Sequence, residues 1–368
     1  MPPVIAGARG AFLVDSAGRE YLDFSMGYGS VWLGHGHPAI AGAIESQLRR
    51  YAAPGFLASG AFEAAEAAFA RLLPPGHFLA GIYSTGMEAV EAAIRTAWAH
   101  TGRQAVAGLA GSEHGRSFLT GALGGKGLAA RAPDCVHVLP GPEAPEALLE
   151  KADELSSGAT LAALVVEPIQ MTAGARTLEP RTAKALFDLA RARGFAVVFD
   201  EALTAPYRCG AALYCDLVGE APDVLVLGKG LGNGFPCAAL ALRRGFGGDR
   251  AKVRPGSTFW NHPLACAAVA ATLEAIHGLD PMQKVLQIER VVEQALQGLP
   301  LRGRGAMWCL ALPDASRQAQ FVERLLEAGV VVSYYPGYIR LLPPLTIEAA
   351  VLRRGCEAIR DVHAHTFG

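Results

Sequence analysis

Gly194-Phe-Ala-Val-Val-Phe-Asp200-Glu201 is the stretch that decides the fold, because it has the pattern of a buried strand that ends in two acids. Its apolar residues do not alternate with polar ones, which is typical of a strand covered on both faces of a parallel sheet. A second apolar run, Val224–Leu227, leads through residues 228–236 into a third, Cys237–Leu242. That connection is too short for a crossover helix, so the third strand is predicted to run antiparallel.

The same pattern extends along the chain, where short apolar runs alternate with longer helical ones. Three further strands are predicted at Ala105–Leu109, Val136–Leu139 and Ala162–Glu167. The predicted helices are rich in Ala, Leu, Glu and Arg: Ala39–Arg50, Ala61–Leu73, Glu88–His100, Pro180–Arg193, Pro263–Ile276 and Ala315–Ala328. These elements predict an α/β fold around a mostly parallel sheet with one reversed strand.

The two ends of the chain are predicted to fold together into a smaller α+β domain. Residues 9–23 have the pattern of a hairpin with a turn at Ser16-Ala-Gly18, and the residues after about 273 form a further set of helices and strands. The expected division is 1–38 for the first part of the small domain, 39–272 for the large domain and 273–368 for the rest of the small domain.

Composition excludes several classes of protein. The chain has 368 residues, a net charge of −1, 51% hydrophobic and 18% charged residues, which suits two domains with a sizeable core. Basic residues form no block that could follow a phosphate backbone, so neither nucleic acid nor a membrane surface is an expected partner. An excess of arginine over lysine, with abundant alanine and glycine, is typical of GC-rich bacterial genomes.

The compartment is predicted from the cysteines and from the start of the chain. The seven cysteines are odd in number and contain no C-x-x-C pair, which argues against a disulfide framework and against a zinc site. The start, Met1-Pro-Pro-Val-Ile-Ala-Gly, lacks a charged segment that leads into an apolar one, and no apolar run has the roughly 18 residues of a membrane span. We therefore expect a soluble cytoplasmic protein with reduced, mostly buried thiols.

Asp200 ends its predicted strand where open α/β sheets bind their ligands. A helix cap or a surface charge is one interpretation of this acid. A nucleotide hydrolase is another, but its phosphate loop would have to be Gly121-Ala-Leu-Gly-Gly-Lys126-Gly127, where Thr120 and Gly127 stand in place of two required residues.

Lys229 also follows a strand, and it lies among the glycines of residues 228–234. The chain has six lysines against 27 arginines, so a lysine at this position indicates chemistry that arginine cannot perform, such as the loss of a proton. A solvated loop lysine is the alternative. A dinucleotide fingerprint fits less well, because the run leads into a strand rather than a helix.

Two further features indicate anion binding. Ser84-Thr85-Gly86-Met87-Glu88 has a capping-box pattern at the start of a helix, where the free amides of Gly86 and Met87 could face a phosphate, although an ordinary helix start explains the pattern equally. Arg340 lies in an apolar segment, where its planar guanidinium could bind a carboxylate or form a structural ion pair.

Together and in order, these motifs resemble the class III aminotransferases, pyridoxal-phosphate enzymes of fold type I. The resemblance covers nearly the whole chain. Its motifs are Gly10–Asp23, Leu33-Gly-His-Gly-His-Pro38, Thr85-Gly-x-Glu88, His114-Gly-Arg116, Glu167-Pro168, Asp200-Glu201, Pro222-Asp223, Gly228-Lys-Gly230, Ser257-Thr-Phe259, Pro263-Leu-Ala265 and Arg340-Leu-x-Pro-Pro-Leu345. It implies a seven-stranded sheet with one antiparallel strand and a smaller domain built from both chain ends.

The resemblance also implies roles for individual residues. Lys229 would form the Schiff base with pyridoxal 5'-phosphate and act as the acid and base, while Asp200 would pair with the pyridine nitrogen. Arg340 would bind the substrate carboxylate. Further cofactor-binding positions are Thr85, Gly86, Met87, Glu113, His114, Glu167, Ala202, Ser257 and Thr258. Thr258 matches a residue that reaches the phosphate of the neighbouring subunit, which implies a homodimer with shared active sites.

Several positions depart from the family pattern. Glu113 stands where an aromatic residue usually stacks on the cofactor, and Leu203 and the small Ala202 replace larger or polar residues beside it. Thr172 replaces a glutamate that pairs with the arginine at the position of Arg340 in members acting on ω-amino acids. The substrate pocket is predicted to include Gln170 and Trp260, and Trp260 is expected to crowd it together with His262.

The predicted function is amino-group transfer between an amino acid, expected to be glutamate, and an unidentified carbonyl compound, with no metal ion. An aminomutase, racemase or decarboxylase on the same fold is an alternative, because the cofactor chemistry is shared. A non-catalytic relative is a second alternative, given the departures at Glu113, Leu203 and Thr172. An ATPase is the remaining one.

Overall fold

The structure is a computed structural model that describes residues 2–55, 57–125, 132–246 and 256–368. In chain order its strands are β1 (Ile5–Arg9), β2 (Phe12–Asp15), β3 (Glu20–Asp23), β4 (His77–Tyr83), β5 (Ala105–Leu109), β6 (Val136–Leu139), β7 (Leu161–Val166), β8 (Ile169–Gln170), β9 (Arg176–Thr177), β10 (Ala196–Asp200), β11 (Val224–Leu227), β12 (Ala238–Arg243), β13 (Leu301–Arg304), β14 (Met307–Ala311), β15 (Val330–Val331), β16 (Ser333–Tyr335) and β17 (Tyr338–Leu341).

The helices follow the same order: α1 (Met26–Gly29), α2 (Pro38–Arg50), α3 (Gly60–Phe69), α4 (Gly86–Thr101), α5 (Pro145–Ser157), α6 (Pro180–Arg193), α7 (Tyr214–Val218), α8 (Pro263–His277), α9 (Pro281–Ala295), α10 (Gln318–Glu327) and α11 (Ala349–Phe367). None of those in the described ranges is long and apolar enough to cross a lipid bilayer.

The centre of the molecule is a seven-stranded sheet in the order β4-β12-β11-β10-β7-β5-β6. Strand β12 runs antiparallel to both of its neighbours, whereas β5, β6, β7, β10 and β11 pair in parallel. This confirms the fold class and the reversed strand. The residue pattern alone missed β4.

Helices cover both faces of this sheet. Helix α4 packs on one face, where its alanines and Ile94 contact apolar residues of the strands. On the other face lie α3, α5, α6 and α8, and their apolar side chains share a second cluster with the opposite side chains of the same strands. Burial on both faces explains why these strands are continuous apolar runs in the sequence.

The topology brings six connections to one edge of the sheet. Because β12 is antiparallel to both β4 and β11, β4 points in the same direction as the parallel strands. The carboxyl ends of β4, β5, β6, β7, β10 and β11 therefore lie along one edge, and this is the edge at which open α/β sheets bind ligands.

Residues from both ends of the chain share a further hydrophobic cluster. It includes Leu22 and Phe24 from the N-terminal part and Phe321, Leu352 and Ile359 from the C-terminal part. Strand β15 pairs in parallel with β3, which joins the two ends in one sheet, β1-β2-β3-β15. The predicted hairpin of residues 9–23 is present as β2 and β3, and β1 adds a strand that the sequence pattern missed. The domain limits at 38 and 272 stay a prediction.

Candidate active site

The candidate active site is a cleft of about 460 Å³ at the carboxyl edge of the sheet. Charged side chains of both signs line it: Glu113, Arg116, Glu167, Lys229 and Arg340. The other lining residues are Tyr28, Met171, Thr172, Leu203, Tyr334 and Tyr335. The central sheet supplies one wall through the loops after β5, β7, β10 and β11, and the sheet that contains β16 and β17 supplies the other.

Asp200 is the last residue of β10 and is only 6% exposed. One of its carboxylate oxygens, Oδ2, lies 2.8 Å from Nδ1 of His114, and the other, Oδ1, accepts a 3.2 Å hydrogen bond from the Ala202 amide. Burial raises the pKa of Asp200, but the hydrogen bond and charge of His114, with the charge of Lys229, outweigh burial and leave that pKa below its ordinary value. Asp200 is therefore held as a carboxylate inside the protein.

Glu167 follows β7 and is also buried. Its carboxylate accepts a 3.0 Å hydrogen bond from the backbone amide of Glu113. Burial raises the pKa of Glu167 and the charge of Asp200 adds to this, while His114 and Lys229 act in the opposite direction. The pKa values of the two buried acids are thus shifted in opposite directions: that of Asp200 is lowered and that of Glu167 is raised.

Lys229 follows β11, the strand beside β10, and opens a 3-10 turn. It has a positive φ of 43°, and Gly230 after it lies so close to Trp32 that a Cβ there would meet that side chain at 2.8 Å. This tight packing fixes the lysine at the edge of the cleft. Its charge acts to lower the pKa of both Asp200 and Glu167, and it forms no ion pair within the described residues.

The start of α4 lies at the same edge. The Thr85 hydroxyl caps the helix by accepting a 3.2 Å hydrogen bond from the Glu88 amide, and the Glu88 carboxylate accepts one of 3.0 Å from the Ser84 amide. In the first turn, the amides of Gly86 and Met87 have no partner inside the helix, as is usual at a helix start. The Cβ of Met87 is only 2.7 Å from where a Cβ on Gly115 would lie, so α4 begins beside the His114–Arg116 loop.

Arg340 lies on β17 and is 2% exposed. Its Nε donates a 3.1 Å hydrogen bond to the Ser333 hydroxyl, and its guanidinium lies 4.7 Å from the centre of the Tyr335 ring. One of its terminal nitrogens, Nη2, is buried without a hydrogen-bond partner in the described residues. No carboxylate of the described chain pairs with Arg340. The residue therefore has donors left for a ligand carboxylate.

Two residues predicted for the substrate pocket lie outside the lining of the cleft. Gln170 is fully buried in β8 and donates to the Ser112 hydroxyl at 2.8 Å. Trp260 packs closely against β4. If Gly81 of that strand had a Cβ atom, the atom would lie only 2.1 Å from the Trp260 indole. The adjoining Asn261 accepts a hydrogen bond from the Ile82 amide at 2.7 Å, and this binds the segment to the edge strand instead of the pocket.

The other predicted positions lie outside the lining of the cleft or outside the described residues. Ala202 is buried and lies two residues after Asp200. A Cβ atom on Gly228 would lie 3.3 Å from the Ala202 Cβ, so these two segments are closely packed. Ser257 and Thr258 are exposed, and no residue of the cleft lining comes from their segment. Lys126 of the phosphate-loop alternative lies outside the described residues.

Sequence reasoning missed Arg116 and three tyrosines of the cleft. Arg116 is part of the quoted His114-Gly-Arg116 motif, so its position beside His114 was a usable signal. Tyr28 projects from α1, where Met26, Gly27, Tyr28 and Gly29 all have positive φ values between 44° and 84°. The glycines that flank Tyr28 were the only sign of this turn, because a run of left-handed residues has no periodicity. Tyr334 and Tyr335 lie on β16.

Comparison with known proteins identifies the family. The family model for class III aminotransferases matches residues 1–362. The chain belongs to this family. The resemblance that the motifs indicated is therefore confirmed, and so is the expectation of an aminotransferase.

Relatives with named activities align with almost the whole class III chain. A 2-aminoadipate transaminase of Pseudomonas putida is 30% identical, covering 98% of this chain and 95% of that protein. A 4-aminobutyrate aminotransferase of Escherichia coli is 30% identical, covering 94% of this chain and 89% of its own length. A 4-aminobutyrate aminotransferase of Mycobacterium bovis is 28% identical, with 98% and 90% covered.

Proposed function

We propose that this class III aminotransferase uses pyridoxal 5'-phosphate, held at the carboxyl edge of the sheet, to move an amino group from glutamate to a carbonyl compound that is not identified. The observation that carries the proposal is the position of Lys229 beside Asp200. Asp200 ends β10 and Lys229 follows the neighbouring parallel strand β11, and the charge of the lysine acts on the buried carboxylate.

The residues of the site fit this cofactor. Asp200, kept ionised by His114, suits a protonated pyridine nitrogen. The unpartnered amides at the start of α4 suit a phosphate, since the helix dipole favours an anion there. The Lys229 amine suits an aldehyde, because it forms no ion pair in the described chain. When bound, pyridoxal phosphate supplies an electron sink for the charge left on the substrate Cα after deprotonation.

The chain's own groups would perform the remaining steps. The amine of Lys229 would take the proton from Cα and return it during transfer, a role that requires a base inside the cleft. Arg340 would orient the donor by binding its carboxylate with two parallel hydrogen bonds. Asp200 would keep its negative charge throughout, because His114 holds its pKa low.

The cleft favours a dicarboxylate as one of the two substrates. Arg340 and Arg116 both line the cleft. Arg340 is buried and Arg116 is exposed. Two guanidinium groups in one cleft can bind carboxylates at both ends of the same molecule. Glutamate has carboxylates at both ends and a reactive amine between them, and this supports it as the amino donor.

We also propose a homodimer with shared active sites. Ser257, Thr258 and Phe259 are exposed, with Phe259 at 57%, and they lie beside β4 at the outer edge of the sheet. A second copy could approach at this edge and place Thr258 near the phosphate. The cysteines are free and six of them are buried, which suits a reducing compartment, so we propose that the protein acts in the cytoplasm.

The test of the function is the visible spectrum of the purified protein and of its Lys229→Ala variant. The wild-type protein should be yellow, and its absorbance should change when glutamate is added, with release of an equal amount of keto acid. Lys229→Ala should lose the absorbance of the lysine-linked cofactor, because no other amine takes its place. Lys184→Ala, an exposed lysine on α6, is the matched control and should behave as the wild type.

The opposite result would reject the assignment of the lysine. If Lys229→Ala kept the wild-type spectrum, the cofactor would be held by another group. If glutamate produced an isomer and no keto acid, the reaction would be an isomerisation instead of a transfer.

A further inference from the structure

Tyr338 joins the strand that carries Arg340 to another wall of the cleft. Its hydroxyl donates a hydrogen bond to the carbonyl oxygen of Thr172, which lines the cleft, while Tyr338 itself lies outside the lining. Tyr338 is two residues before Arg340 on β17, so the two side chains project from the same face of that strand. Burial raises the pKa of Tyr338 to about 12, so the hydroxyl keeps its proton and acts as a donor at neutral pH.

An aromatic stack connects Tyr338 to the guanidinium of Arg340. The rings of Tyr335 and Tyr338 face each other across the pairing of β16 with β17, with their centres 6.2 Å apart and their planes 19° from parallel. The Arg340 guanidinium lies 4.7 Å from the centre of the Tyr335 ring, a distance at which the face of the ring attracts a cation. A continuous set of contacts therefore leads from the Thr172 carbonyl oxygen through both rings to Arg340.

The turn between β16 and β17 is held in place without the Tyr338 hydroxyl. The Gln318 side chain donates hydrogen bonds to the carbonyl oxygens of Tyr335 at 2.6 Å and Tyr338 at 3.1 Å, and it accepts one from the Gly337 amide at 3.2 Å. Backbone pairing of the two strands adds to these bonds. Removing the hydroxyl should therefore leave the hairpin folded and weaken its connection to Thr172.

The segment that receives the hydroxyl is fixed to the same sheet at a second point. Thr172 belongs to the short 3-10 turn Met171–Ala173, which supplies both Met171 and Thr172 to the cleft lining. The Met171 carbonyl oxygen accepts a 3.7 Å hydrogen bond from the thiol of Cys309 on β14, the strand that pairs with β17. Because a thiol is a weak donor, the Tyr338 hydroxyl is the stronger of these two connections.

Arg340 depends on such support because no opposite charge of the protein fixes it. In the described residues its side chain has no carboxylate partner, and its Nε donates to the neutral Ser333 hydroxyl. An arginine side chain has many rotamers, and holding one of them costs conformational entropy. Binding a carboxylate through two parallel hydrogen bonds requires one orientation of the guanidinium plane. The aromatic contacts supply that orientation.

We infer that Tyr338 is a positioning residue for Arg340: it binds the Thr172 carbonyl oxygen, stacks on Tyr335 and so sets the guanidinium in the orientation that receives a substrate carboxylate. The inference rests on the proposed function, in which Arg340 binds that carboxylate. Since Tyr338 lies outside the cleft lining, it acts through Arg340 and not on the substrate itself.

The experiment follows the half-reaction of the holoenzyme by its visible spectrum, with glutamate and with butylamine as single donors. Tyr338→Phe keeps the ring and removes the hydroxyl. It should raise the apparent dissociation constant for glutamate about 3- to 10-fold, the usual effect of losing one hydrogen bond, and change the limiting rate by less than about twofold. The reaction of butylamine, which has no carboxylate, should stay as in the wild type. Tyr21→Phe, which removes a hydroxyl that donates to Asp15 in the β2–β3 hairpin, is the matched control and should change neither.

Further variants separate positioning from a general loss of structure. When Tyr338→Phe is added to Arg340→Ala, kcat/KM for glutamate should fall no further, because the guanidinium through which Tyr338 acts is already absent. Tyr335→Leu should weaken glutamate binding as Tyr338→Phe does, and Tyr335→Phe, which keeps the ring, should recover most of the loss.

A binding measurement removes the dependence on turnover. Calorimetry of glutarate, a dicarboxylate without an amine, should show binding to the wild-type holoenzyme that is weaker in Tyr338→Phe by the same factor as for glutamate.

Several results would overturn the inference. Equal losses for glutamate and butylamine would show that Tyr338 supports the cleft as a whole, and additive losses in the double variant would show that it acts independently of Arg340. Unchanged glutamate and glutarate binding in Tyr338→Phe, or no glutarate binding to the wild type, would also contradict it. If no donor changes the spectrum of the wild-type protein, the proposed function fails, and the glutarate comparison still decides whether Tyr338 positions Arg340.

Discussion

The buried charges at the ends of β7 and β10 show how neighbouring residues assign different states to chemically similar groups. Asp200 and Glu167 are both buried and both lie near His114 and Lys229. Only Asp200 has a hydrogen bond from the His114 ring, and its pKa falls, whereas the pKa of Glu167 rises. The hydrogen bond from His114 is one cause that shifts the pKa values of these two acids in opposite directions, and such a separation suits a site that must hold one charge and move another.

Also at the residue scale, Arg340→Ala should lower kcat/KM for donors that carry a carboxylate by roughly 30-fold or more, because a desolvated charged contact contributes about 2–5 kcal/mol. An amine without a carboxylate, such as butylamine, should react at an unchanged rate. Steady-state kinetics with both kinds of donor give the measurement, and Arg353→Ala on the exposed side of α11 is the control. Equal losses for both donors would mean that Arg340 supports the fold through Ser333 and Tyr335 and does not bind substrate.

Among the elements, the strands were predictable where burial is uniform and less so elsewhere. Strands β5 and β11 have the predicted limits, because residues covered on both faces leave unbroken apolar runs in the sequence. Strand β6 also has its predicted limits, although it is a partly exposed edge strand. Strand β4 was missed, and its Gly81 packs against Trp260, a contact between residues distant in sequence. The sequence motifs similarly predicted that Lys229 and Asp200 lie at the ends of strands. The positions of Gln170 and Trp260 depend on packing between distant segments, which a local sequence pattern does not contain.

Helix α7 depends on Glu201, which accepts hydrogen bonds from the Tyr214 amide at 2.6 Å and the Cys215 amide at 3.1 Å. Burial raises the pKa of Glu201 from 4.5 to about 7. The folded protein therefore keeps a proton that the unfolded chain loses near pH 4.5, so this contribution to stability is complete below pH 4.5 and is lost as the pH rises to about 7.

Glu201→Gln should remove this dependence. Urea unfolding at several pH values should show the free energy of unfolding of the wild type falling relative to the variant between pH 4.5 and 7, by up to about 3 kcal/mol. The variant also loses one acceptor for the α7 amides, which changes its stability at every pH. The readout is therefore how the difference in free energy of unfolding between wild type and variant changes with pH. Glu323→Gln on the exposed face of α10 is the control. Parallel curves for Glu201→Gln and the wild type would show that Glu201 titrates alike in both states.

For the whole molecule, the cleft takes its parts from both halves of the chain. The loops of the central sheet supply Lys229 and Glu113, α1 supplies Tyr28, and β17 supplies Arg340. The pairing of β3 with β15 and the shared cluster of Phe24 with Ile359 hold the chain ends together, so Arg340 is positioned by contacts far from the chemistry. A shift of the smaller part against the central sheet would therefore alter substrate binding before it altered the residues around Asp200.

The proposed dimer can be tested by mixing inactive variants. Lys229→Ala chains lack the reacting amine, and Thr258→Asp chains carry a charge that should repel the cofactor phosphate from the partner's site. In a mixed dimer, one site combines Lys229 of one copy with Thr258 of the other, so mixing should restore about a quarter of the wild-type activity if the copies assort at random. Mixing Lys229→Ala with Asp200→Ala is the control and should restore nothing, because both residues belong to the same chain's site. Full activity of Thr258→Asp alone, or no recovery after verified exchange of subunits, would show that each copy builds its site without Thr258 of its neighbour.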